Sequence, residues 1–187
     1  MKILLTLLVL FFSKSLFGEV LLTNIELNES ISNYFSKFEI NQFNVENEHY
    51  GKNKKYSKLY IEKPSQLFDD NYTLAIITFE NNSKKITYVS GLNENLNNCL
   101  KFRDEQILIN SKPNLPEGNE INSKHNDGLE QKVISYYFEE YLMKYSCDFY
   151  SSPSPWAGTV DYRFDYLTWD YNEWVVDVMD TVSTPSQ

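Results

Sequence analysis

Side chains able to do chemistry are few in this chain, and their spacing argues against most of the chemistry they suggest. Of the two histidines, His49 lies in a lysine-rich stretch and His125 in an Asn-rich one. A Ser-His-Asp triad needs its imidazole held by packing and oriented by a carboxylate, and neither histidine has a rigid local setting. There is no G-x-S-x-G sequence and no His/Cys grouping with metal-ligand spacing. Asp161, Asp165 and Asp170 would suit calcium, but no D-x-D-x-D-G loop surrounds them. A pair of carboxylates hydrolysing a polymer is the enzymatic reading left, and an acidic chain offers many pairs without marking one. The expectation is no assignable catalytic residue, no metal and no cofactor.

The aromatic residues are the stronger signal. Trp156, Trp169 and Trp174 all fall in the last third, among Tyr150, Tyr162, Tyr166 and Tyr171. Large rings suit half-buried strands on packing grounds alone. Trp156, between Pro155 and Gly158, and Trp169, in the polar phase of its strand, are the two placed to be exposed. With Tyr171, Asp161 and Asp165 they form the candidate surface for a saccharide or a protein partner. Asp161, Arg163 and Asp165 alternate, which also reads as the wet side of one strand. The formal net charge of −9 argues against nucleic acid, which wants a basic footprint, and against an anionic membrane surface.

These residues must be positioned by a mixed set of elements. Val20, Leu22, Ile25 and Leu27 suggest a short strand over 19–27. Asn28 is then placed to cap a helix whose buried face is Ile31, Tyr34, Phe35 and Phe38, at i, i+3, i+4 and i+7. Residues 41–58 read as loop, with an edge strand over 58–62. A strand over 72–80 and its return over 86–90 flank a turn at 81–84. Gly91 and Asn93 end that return and start a helix with Leu96, Cys99, Leu100, Arg103 and Ile107 on one face. Residues 111–129 read as a long soft loop. Period-two alternation then gives three sequential antiparallel strands, carrying Ile134 to Phe138, Tyr141 to Phe149 and Val160 to Thr168. Residues 151–159 are a second loop. Asp170 and Glu173 suggest a capping box for a final helix carrying Trp174.

Residues 1–18, MKILLTLLVLFFSKSLFG, have the form of an export signal: Lys2, an apolar run and a small polar exit. The run is shorter than the roughly 20 residues that span a bilayer, and its exit lacks the cysteine of a lipid anchor. The expectation is a soluble protein, periplasmic or secreted, without membrane insertion once the signal is removed. Two cysteines in an exported chain usually form one disulfide. Cys99 and Cys147 sit on the apolar faces of their predicted helix and strand, so a helix covering that sheet brings the sulfurs together. A redox pair would more often be C-x-x-C, which is absent. Asn28, Asn71 and Asn81 stand in N-x-Ser/Thr frames, glycan sites only in a eukaryotic secretory pathway.

The segments IELNESISNYFSKFEI, KKITYVSGLNENLNNCLKFRDEQI, SYYFEEYLMKYSCDFY and FDYLTWDYNEWV together resemble an uncharacterised family of small exported proteins of AT-rich marine bacteria. The resemblance covers most of the chain after residue 18 and picks out Cys99, Cys147 and Trp174. It implies one exported domain with a disulfide, and no activity. The whole reads as a signal peptide at 1–18, a single α+β domain at 19–180 and a flexible tail at 181–187. That domain is an antiparallel sheet of about five strands with helices packed largely on one face. The expected role is a monomeric, non-enzymatic binding or interaction module with an unknown protein or saccharide partner. The alternative is a carboxylate-dependent hydrolase of cell-envelope or extracellular polymer.

Overall fold

A computed structural model describes residues 22–45, 55–64, 70–110 and 115–183. The expected signal segment, His49 and residues 184–187 of the expected tail lie outside them. The alternating segments hydrogen-bond into one antiparallel sheet of eight strands, in the order β1-β2-β3-β4-β8-β7-β6-β5. One meander consists of β1 (Asn44–Val45), β2 (Tyr56–Glu62), β3 (Leu74–Glu80) and β4 (Ile86–Asn93). A second consists of β5 (Asn119–Lys124), β6 (Leu129–Tyr137), β7 (Tyr141–Tyr150) and β8 (Val160–Thr168). The two meet along β4 and β8, where Val89 lies opposite Tyr166 and Ser90 opposite Asp165. Among the described residues three α-helices accompany them: α1 (Lys37–Phe43), α2 (Cys99–Asn110), which joins the meanders, and α3 (Trp169–Ser183).

Because side chains alternate across a strand, each strand supplies both faces of the sheet. The first face carries the main core: Leu59, Ala75, Ile77, Val89, Tyr145, Cys147, Tyr162 and Phe164. It is covered by α2 and by two 3₁₀ turns at Leu22–Asn24 and Ile31–Asn33, whose Leu22 and Ile31 join that core. The second face carries a smaller cluster of Tyr56, Leu142, Leu167 and Tyr171, with Trp174 and Val175 packed on it from α3. The expectation of helices largely on one face therefore fails for α3. Its Tyr171 and Trp174 pack with Leu142 of β7 and Leu167 of β8, which pair on the side of the sheet opposite α2.

Cys99 and Cys147 are bonded, with 5.9 Å between their Cα atoms. Cys99 opens α2, which packs across β7 and β8. Phe102, one turn on, sets its ring edge-on to Tyr162 at 4.9 Å. Arg103 is buried and reaches Glu120 of β5 at 3.7 Å, so α2 is tied to the outer hairpin as well as to the sheet centre.

Several expectations are corrected, each for a local reason. Among the described residues there are eight strands rather than about five. The extra pairing comes from β1, from β2 being interior beside β3, and from β5, which lies within the supposed loop of 111–129. Strand β5 is polar and exposed along nearly its whole length, so it has no hydrophobic alternation to betray it. The sign of its hairpin was Asp127-Gly128, where Gly128 takes φ 88°, as tight hairpin turns require. The segment after residue 22 forms 3₁₀ turns rather than a strand. Asn28 sits at φ 66°, outside the conformation of a helix cap. Ser30 caps the turn at Ile31 instead. The α-helix starts later, through a capping box: Glu39 Oε2 accepts from Ser36 N at 2.7 Å and Ser36 Oγ from Glu39 N at 3.3 Å. Phe38, assigned to the buried face, is 76% exposed. Thr168 rather than Asp170 caps α3, its Oγ1 accepting from Tyr171 N at 3.4 Å.

Gly91 does not end β4, which continues to Asn93. A Cβ there would run into the ring of Tyr72 and the side chain of Leu22, so the glycine lets the Leu22 turn and Tyr72 close over the sheet. Gly91→Ala is expected to cost about 2 kcal/mol, the usual scale of overpacking. A fall in the urea midpoint with an unchanged slope would show it, and an unchanged midpoint would contradict it.

Candidate functional site

The second face is only partly covered. Beyond the contact of α3 with Leu142 and Leu167, a cavity of about 340 Å³ opens between helix and sheet. Register explains its composition. One row across the sheet runs Tyr60, Ile76, Ser90, Asp165 and Lys144, and the next runs Lys58, Thr78, Tyr88, Leu167 and Leu142. The cavity is lined from these rows by Lys58, Tyr60, Ile76, Tyr88, Asp165, Lys144 and Leu167, with Arg163 from the row beyond. Tyr171, Asn172 and Val175 close it from α3. The Tyr171 ring stacks on Tyr88 at 5.3 Å, which fixes the helix over this part of the sheet.

A polar network runs from the cavity into the sheet. Tyr88 Oη donates to Asp165 Oδ1 at 2.8 Å. Arg163 Nη2 donates to Asp148 Oδ2 at 2.9 Å, and Gln131 Nε2 donates to Asp148 Oδ1 at 3.0 Å. Asp148 is 1% exposed, whereas the Arg163 side chain is 40% exposed and reaches the cavity. Burial pushes the Asp148 carboxyl above its ordinary value, and Arg163 and Gln131 hold it partly down. Burial alone would lower the Arg163 guanidinium, but Asp165 and Asp148 outweigh it and hold it above its usual value. Burial, reinforced by Asp165, raises the Tyr88 hydroxyl well above 10, so it stays a proton donor. Burial also lowers the Lys58 ammonium.

The residues picked out in the sequence do not form one surface. Asp165 and Tyr171 line the cavity. Tyr171 is buried there, edge-on to Tyr56 at 5.2 Å. Asp161 lies four residues nearer the β7–β8 loop than Asp165, opposite Asp148, and accepts from Asn95 N at 3.0 Å. Trp156 sits in that loop, 63% exposed, edge-on to Tyr150 at 5.7 Å. Trp169 is at the far end of β8, half-buried: its Nε1 donates to Phe138 O at 3.1 Å and its ring stacks on Tyr137 at 6.0 Å. The nine residues of β8 separate the two tryptophans by roughly 30 Å. Trp156→Ala is expected to leave stability within about 0.5 kcal/mol. Trp169→Ala removes packing and a hydrogen bond, and is expected to cost about 2 kcal/mol. Urea denaturation of the pair checks this, and equal costs would contradict it.

Lys58, Tyr88 and Lys144 were not expected at a site. Lys58 and Tyr88 belong to the first meander and Lys144 to the second, so no local pattern joins them. Their only sequence sign is the shared period-two phase. Among the described residues, no group of three or more His, Cys, Asp or Glu side chains is placed to hold a metal ion. No helix among them is long and apolar enough to cross a membrane. No protein-family model, curated protein or solved structure matches the chain.

Proposed function

We propose that the protein is an exported, non-enzymatic binding module of the periplasm or extracellular space, acting as a soluble monomer, with its ligand seated in the cavity beneath α3. One observation carries the reading: a concave site of about 340 Å³ that joins an apolar wall to converging charged groups. Its size falls within the roughly 300–1,000 Å³ of small-ligand pockets. Export is supported by the form of residues 1–18, by the resemblance to exported proteins of AT-rich marine bacteria, and by a disulfide, which persists in oxidising compartments.

The hydrolase reading is less well supported. It needs two carboxyls that reach a substrate, one of them holding its proton at working pH. Asp148 has the raised pKa, yet both its oxygens are bonded and it is 1% exposed. Native mass spectrometry of protein isolated from an oxidising compartment tests the choice. A small-molecule adduct, lost in Val175→Trp, is expected. Cleavage of envelope polymer that stops in Asp165→Asn would overturn it in favour of the hydrolase.

A further inference from the structure

We propose that two copies of the protein pair through their β5 strands, edge to edge and antiparallel, so that one sheet continues into the next. The inference goes beyond the ligand reading and does not rest on it. The pairing is weak, so dilute protein stays monomeric and each copy keeps its own cavity.

Among the described residues the sheet ends at β1 on one side and at β5 on the other. Strand β1 has two residues, too few to template a partner. Strand β5 has six and pairs with β6 in an unbroken register. It carries neither a proline nor a bulge, two devices that usually blunt an edge. Its phase tells which main-chain groups face outward. His125 N donates to Leu129 O at 2.8 Å, and hydrogen-bonded pairs recur at every second residue of an antiparallel ladder. Ser123, Ile121 and Asn119 therefore turn their main-chain groups to β6, while Glu120, Asn122 and Lys124 turn theirs away. Those outward groups bond no other described residue.

Charged edge residues normally discourage pairing, but the spacing in β5 favours one register. With Asn122 opposite Asn122 of the second copy, every outward residue faces an outward residue, and about six main-chain hydrogen bonds form. The same register sets Glu120 opposite Lys124 of the second copy, and Lys124 opposite its Glu120. A slip either way loses hydrogen bonds and brings Glu120 toward Glu120, or Lys124 toward Lys124. Charges already present extend the pattern. Glu120 meets Arg103 at 3.7 Å and Lys124 meets Glu130 at 3.5 Å. Pairing lines up Arg103 and Glu120 with Lys124 and Glu130 of the second copy. The signs alternate throughout, so no existing partner is given up and no like charges are opposed. On the other face Ile121, 47% exposed, gains a strand to pack beside. One strand buries less than a stable dimer needs, and a net charge of −9 on each chain opposes association, so the pairing is weak.

Sedimentation velocity on protein isolated from an oxidising compartment tests this. The wild type is expected to pass from monomer to dimer with a midpoint on the order of 100 µM. Asn122→Pro removes an outward N–H and leaves the bonds to β6 in place, so it should stay monomeric to about 1 mM. Glu120→Lys and Lys124→Glu each oppose like charges, and neither should pair alone. Mixed in equal amounts they should pair, because each opposed couple is then a lysine with a glutamate. A wild type still monomeric at about 1 mM would overturn the pairing. A dimer that persists in Asn122→Pro, or in both single charge reversals, would place the contact elsewhere and overturn it too. A mixture no more associated than its components, beside a wild type that dimerises, would overturn the antiparallel register.

Discussion

Replacing Cys99 and Cys147 together by alanine is expected to lower the free energy of unfolding by about 4 kcal/mol, the chain-entropy value for a loop of this length. The bridged residues are 48 apart, and the loop they close contains most of α2 and the whole β5–β6 hairpin. In the unfolded chain the bridge removes that loop's freedom. In the folded protein it anchors the start of α2 to the centre of β7. Without it α2 is held by the packing of Leu100, Phe102 and Ile107 on the main core and by the Arg103 links. The β5–β6 hairpin, whose outer strand is exposed on both sides, should loosen first. Urea denaturation of the double variant, beside wild type with and without reductant, measures the effect. A loss under about 1 kcal/mol would mean that packing alone holds α2 in place.

Arg163→Met is expected to cost about 3 kcal/mol near neutral pH, the scale for stranding one member of a buried ion pair. Asp148 would keep only the Gln131 amide as partner in a setting that already disfavours its charge. The sign with pH follows from that direction. A carboxyl whose folded pKa lies above its ordinary 3.8 keeps its proton in the fold where the unfolded chain has lost it. Its contribution is favourable below 3.8 and is lost as pH rises through the folded value. Removing Arg163 raises that folded value further, so the variant's deficit should be larger at about pH 7 than at about pH 4. Asp148→Asn in the Arg163→Met background should recover part of the loss at neutral pH. An equal deficit at both pH values, with no recovery in the double variant, would show that Arg163 stabilises through its packing and not through the ion pair.

How much could be read in advance varied with how strongly each segment was patterned. Strands β7 and β8 follow the alternation of Tyr141 to Phe149 and Val160 to Thr168, because a strand with a buried face must alternate. The phase of Cys147 placed its sulfur on the face that α2 covers. Strand β5 was missed because an exposed edge strand needs no apolar residue. The helix around residue 31 was misplaced because i, i+3, i+4 spacing fits a 3₁₀ turn followed by a separately capped helix about as well. Asp161, Arg163 and Asp165 share one side of β8, away from the main core, but Arg163 and Asp165 there line the cavity that α3 closes.

The sequence by itself determined which residues share a strand face, which two sulfurs would meet, and that the chain is acidic with few reactive side chains. Those are local properties: period, composition and residue type. Only the tertiary structure decided that α3 would cross to the second face, and that β4 would pair with β8. That pairing joins two meanders distant in sequence and brings Tyr88 of one onto Asp165 of the other, 77 residues away. It also gathers Lys58, Lys144 and Arg163 around one cavity in an otherwise acidic chain. The physical reason is register. A strand's alternation states which side a side chain points to, but its neighbours across the sheet depend on hydrogen bonds between segments that the linear order keeps apart.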